Sequence, residues 1–137
     1  MAASVIVDAS FLVTLHSRRE TNHGWADRQA RRYPPPWHTC EAAISETFYL
    51  LGPGDGASVF AALLQRGVVA ASFHFAESAE PVLALMAKYA DVPMSFADAC
   101  LVRMTELLPE PILLTTDTDF RIYRRHSRRT VPCILPS

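Results

Sequence analysis

Two short aliphatic runs stand near opposite ends of the chain, and each stops at an aspartate. They are Ser4–Asp8 (SVIVD) and Pro111–Asp117 (PILLTTD). Brief runs of Val, Ile and Leu with no polar alternation suit strands buried on both faces, the environment of a parallel sheet. Parallel neighbours cannot be joined by a tight turn and need a crossover, usually helical. The residues between and around the two runs supply such crossovers.

ASFLVTLH reads as a short helix with Asp8 at its entrance, and about Asn22 to Arg32 as a polar helix carrying Trp25. Pro34, Pro35 and Pro36 cannot continue it, because proline lacks the N–H donor and fixes φ. After a brief extended segment, CEAAISETFYLLG is a helix stopped by Gly52 and Pro53. GASVFAALLQRG is another, with Gly67 just past its end. VVAASFHF has strand character. AESAEPVLALMAKYA is amphipathic, with Pro81 tolerable only in its first turn. SFADACLVRMTELL is helical, PILLTT a strand, DFRIYRRH a short helix and TVPCIL a last strand. Strands separated by helices imply right-handed crossovers. The expected fold is a three-layer α/β/α sandwich with a largely parallel sheet, and residues 1–137 suit a single domain.

A formal net charge of -1 advertises neither nucleic acid nor membrane, but the charges are unevenly placed. Residues 34–101 hold seven acids and only Arg66 and Lys88 as bases. After Phe120 come Arg121, Arg124, Arg125, Arg128 and Arg129, with no acid among them. The three cysteines are widely spaced without Cys-x-x-Cys, which indicates free thiols rather than a disulfide or zinc framework. No leader pattern and no apolar run of membrane-spanning length is present, so a soluble cytoplasmic protein is expected.

In open α/β sheets, ligands bind beyond the carboxyl ends of the strands. Asp8 and Asp117 meet there if their strands are neighbours. Glu46, in a helix with apolar residues nearly all round, and Asp98, early in its own helix, are candidates to join them. Each acid also has a local structural reading. Asp8 caps a helix, Ser95 and Asp98 have capping-box spacing, Asp117 makes an Asx turn, Asp119 caps at Phe120, and Glu46 pairs with a buried arginine such as Arg103. Gathered together, the carboxylates would repel one another, and a divalent cation resolves that conflict. An all-oxygen set suits Mg²⁺ or Mn²⁺. Such an ion polarises a phosphodiester without a covalent protein nucleophile.

Four stretches, VIVDASFLV, ISETFYLLG, SFADACLV and LLTTDTDFRIY, occur in an order and spacing that resembles the PIN-domain nucleases. The small VapC-type toxins of toxin–antitoxin pairs are the members it looks most like. The resemblance spans roughly Val5 to Leu135. It implies that Asp8, Glu46, Asp98 and Asp117 form a Mg²⁺ or Mn²⁺ site for cutting RNA, with Asp119 in support. Ser10 and Thr116 match the family's small hydroxyl residues and would orient ligands or water from behind. It further implies a homodimer and an antitoxin whose C-terminal segment blocks the cleft, though a stand-alone enzyme fits equally. One departure is Ser95, where many relatives carry a further acid.

Beside this ribonuclease reading stand two others: an inactive PIN-fold module whose acids bind a partner's arginines, and a structure-specific DNA nuclease. Arg121, Arg124, Arg125 and Arg128 are candidates for contact with an RNA backbone, or else a solvated face. Trp25 and Trp37 are expected to pack in a core or interface rather than stack on bases.

Overall fold

The computed structural model describes residues 2–137. The elements run β1 (Ser4–Val7), α1 (Ala9–His16), α2 (His23–Arg32), β2 (Trp37–Thr39), α3 (Glu41–Leu51), α4 (Asp55–Gln65) and β3 (Val69–Ala71). A 3-10 turn at Phe75–Glu77 then leads into α5 (Ala79–Lys88), α6 (Phe96–Leu107) and β4 (Pro111–Leu114). A second 3-10 turn at Thr118–Arg121 precedes β5 (Arg124–Arg125), β6 (Arg129–Thr130) and β7 (Cys133–Ile134).

β3, β2, β1, β4 and β7 form one sheet in that order, and every pairing in it is parallel. Both faces are covered, as the uninterrupted aliphatic runs require. The pleat decides which residue goes where. Val5, Val7 and Leu114 point into one core, with Phe11 and Leu12 of α1, Ala26 of α2 and Phe60 of α4. Ile6 and Leu113 point into the other, with Val82 of α5 and Leu101, Val102 and Met104 of α6. Phe11 is fully buried, with Trp25 and Trp37 edge-on to it at 5.9 and 6.1 Å, so both tryptophans pack internally as expected.

Two stretches differ from their expected form. VVAASFHF is a strand only over Val69–Ala71, after which Phe73 turns into the core. DFRIYRRH is not a short helix. Only Thr118–Arg121 makes a single 3-10 turn, and the chain then enters an antiparallel hairpin in which Arg125 pairs with Arg129. The reason is tertiary. The Arg124 N–H donates to the Tyr89 hydroxyl at 2.9 Å, and the Arg125 guanidinium donates to the Thr105 carbonyl. Those bonds hold the backbone extended, and the tip turns through positive φ at His126 and Ser127.

Candidate active site

The register of β1 against β4 sets the geometry. Val7 pairs with Leu114, so the chain leaves β1 at Asp8 beside the point where it leaves β4 at Thr115. The Asp8 carboxylate is buried and caps α1. Its Oδ1 accepts the Phe11 N–H at 2.9 Å and the Ser10 hydroxyl at 2.7 Å, and its Oδ2 accepts the Thr115 hydroxyl at 2.5 Å. Thr115 Oγ1 in turn accepts the Asp117 N–H at 2.9 Å, and Ser10 Oγ accepts the Thr116 N–H at 2.9 Å. Asp117 Oδ1 accepts the Asp119 N–H, closing the Asx turn expected at this position. The hydroxyl nearest the acids therefore belongs to Thr115, which the sequence reading missed. Thr116 contributes its backbone N–H. Thr115 is fully buried, and strand register, not spacing, selects it.

Asp98 is held from two sides. Its N–H donates to Ser95 Oγ at 3.0 Å, so Ser95 caps α6 as expected. Its Oδ2 accepts the Tyr123 hydroxyl at 3.0 Å. Glu46 stands differently from expectation. It is exposed rather than packed in a mostly buried helix, because α3 buries only Ala43 and Thr47 and leaves a broad outer face open. It does not pair with Arg103, whose partners are Glu106 and Ser78. Asp8, Glu46, Asp98 and Asp117 nonetheless line one cleft of about 60 Å³, with Ser10, Ala97 and Leu101. Asp119 is not among the residues lining it. A larger groove of about 900 Å³ at the far end of α1, around His16, Arg18, His23 and Asp55, contains none of these four acids.

Burial pushes the Asp8 carboxyl up to about 6, against the pull of its three hydrogen bonds and with a small push from Asp98. Burial also raises Asp98; the Tyr123 hydroxyl opposes this, and Asp117 and Glu46 add to it. The Tyr123 phenol is itself pushed up, first by burial and then by the charge of Asp98. The like charges thus feel one another across the cleft. Among the described residues, no three His, Cys, Asp or Glu side chains are gathered closely enough to hold an ion as they stand. Their chemistry fits a hard divalent cation all the same. The donors are all oxygen, they face one cleft, and a positive charge there would relieve both the repulsion and the retained protons.

The expected arginines divide into two groups. Arg124 donates to the carbonyls of Arg121, Ile122 and Tyr123, and Arg125 to that of Thr105, so both guanidinium groups fasten the hairpin. Arg121, Arg128 and Arg129 are exposed.

A PIN domain family model matches residues 5–125. The chain belongs to the PIN domain family. Among solved structures it is similar to Mycobacterium tuberculosis VapC20, described as a sarcin-ricin loop cleaving toxin. The TM-score is 0.75 and the identity 25%, over 92% of this chain and 99% of that one. No curated protein matches by sequence.

Proposed function

We propose that this PIN-domain chain is a divalent-metal-dependent endoribonuclease, the toxin of a toxin–antitoxin pair, acting as a single domain over residues 1–137. The observation that carries the reading is the convergence of Asp8, Glu46, Asp98 and Asp117 on one cleft at the carboxyl edge of a parallel sheet. The likeness to VapC20 over nearly the whole of both chains supports RNA as the substrate.

Asp8, Asp98 and Asp117 would hold Mg²⁺ or Mn²⁺. Exposed Glu46 would complete the set or orient the attacking water. When bound, the cation supplies a Lewis acid that polarises the phosphodiester and favours ionisation of water. Ser10 and Thr115 fix the direction of the Asp8 carboxylate, and Thr115 also fixes the Asp117 backbone. Tyr123 holds Asp98 in place. We further propose a homodimer, an antitoxin segment that occupies the cleft, and a cytoplasmic site of action. The three free cysteines are compatible with a reducing compartment. Among the described residues no helix is long and apolar enough to cross a membrane.

The test is incubation of the purified protein with single-stranded and structured RNA in Mn²⁺, with matched DNA substrates alongside. Cleavage of RNA that EDTA abolishes, and that Asp8→Asn and Asp98→Asn each reduce by about 10²-fold or more, is the expected result. Cleavage indifferent to EDTA, or intact in Asp8→Asn, rules the reading out. Native mass measurement of the protein copurified from its own operon reports the dimer and any bound antitoxin.

A further inference from the structure

Phe75 and Phe96 are exposed by 37% and 39%, yet they pack edge to face with ring centroids 5.1 Å apart. Phe96 opens α6 one residue before Ala97, which lines the acidic cleft. Phe75 belongs to the 3-10 turn that follows β3. Parallel strands all end on the same side, so Phe75 and the strand-end acids share one edge of the sheet. β3 lies two strands from β1, or about 10 Å. Along that edge the aromatic pair lies beyond β3, and Asp8 and Asp117 follow β1 and β4.

We propose that Phe75 and Phe96 form a stacking platform that takes one unpaired nucleobase of the RNA beside the scissile phosphate. This rests on the ribonuclease reading. Two magnitudes choose the occupant. The exposed area of the two rings is about 150 Å², taking a phenylalanine as roughly 200 Å². That suits the face of one base and falls far below the roughly 800 Å² a side of a stable protein interface. The surroundings also disfavour phosphate as the contact: no lysine or arginine lies between Arg66 and Lys88, the nearby Arg103 is engaged by Ser78 and Glu106, and Glu77 is exposed beside the pair. A base presents an uncharged π-face that needs no cation, and aromatic stacking accepts any base.

The test uses a single-stranded RNA oligonucleotide spanning a mapped cleavage site, and copies with one abasic nucleotide at each flanking position. Phe75→Leu and Phe96→Leu keep apolar bulk but lose the ring, and melting curves check that they fold. KM is expected to rise about ten-fold in each, with kcat within two-fold, and Phe96→Tyr to restore the wild-type KM. One abasic position is expected to weaken the wild type by a similar factor and the leucine variants no further. 2-Aminopurine at that position is expected to be quenched by Asp8→Asn protein and less so when Phe96→Leu is added. Unchanged KM in the leucine variants, or abasic losses identical in variant and wild type, overturns the platform while leaving the nuclease intact. Loss of partner-protein binding with unchanged RNA kinetics likewise overturns it, in favour of a protein contact. A wild-type protein that neither binds nor cuts RNA removes both proposals together.

Discussion

Asp8 shows how burial shifts a carboxylate at a strand end. Its carboxyl is pushed up to about 6 from an ordinary 3.8, so between those values the folded chain holds a proton that the unfolded chain has released. Stability must therefore fall as pH rises through that window, and above pH 6 the ionised group is a standing penalty of up to about 3 kcal/mol. Asp8→Asn should remove it. We expect the variant, without metal, to melt several degrees above wild type at pH 7.5, and the gap to shrink to about half by pH 5 and to vanish only below 3.8, where Asp8 is protonated in both states. Calorimetry at the two pH values checks this, and a gap independent of pH contradicts it. The hydroxyls behind the acids are also separable. Thr115→Val removes the donor to Asp8 and strands the Asp117 N–H, whereas Thr116 uses only its backbone here. The Mn²⁺ concentration for half-maximal cleavage should rise about ten-fold or more in Thr115→Val and stay near wild type in Thr116→Val.

At the scale of elements, the hairpin at Arg124–Thr130 decides what the arginine run does. Its two inner guanidinium groups are spent on carbonyls, and its outer ones face water. Arg125→Ala should therefore lower stability by about 1–3 kcal/mol through the lost bond to Thr105. Arg128→Ala with Arg129→Ala should leave melting unchanged but lower the salt dependence of RNA affinity. In single-stranded RNA the slope of log K against log salt should fall by about 0.7 per lost phosphate contact. A titration of RNA binding at several salt concentrations reports the slope. The same hairpin explains why RIYRRH misled as a sequence. Read locally it suits a short helix, but bonds from Tyr89 and Thr105, distant in the chain, override so short and polar a segment.

Across the whole molecule, the proposed cation site would couple folding, protons and cation. A divalent ion that binds the folded cleft alone stabilises by mass action, and it competes with the protons that burial retains on Asp8 and Asp98. Saturating Mn²⁺ should raise the melting temperature clearly at pH 7.5 and much less at pH 5, and Asp8→Asn should flatten the difference. A shift equal at both pH values would place the ion elsewhere on the surface.

Much of this was present in the order of residues alone. β1 and β4 announced themselves because runs such as VIV and ILL have no stable place outside a buried strand, and helices around them left a parallel sheet as the economical arrangement. Asp8 at one strand end, Asp117 after another and Asp98 in a capped helix start follow from local rules, and so do the caps at Asp8 and Ser95. What the chain could not declare was which face of each element would be covered. Glu46 lies in a helix apolar nearly all round, and only packing revealed that its own face stays open to the cleft. Thr115 was hidden beside Thr116 because register between strands more than a hundred residues apart chooses between neighbours, and a one-residue slip reverses the choice. Local pattern sets elements and their ends, since those depend on backbone geometry within a few residues. Convergence, burial and the resulting shift in acidity are properties of distances between elements, and only the tertiary structure supplies those.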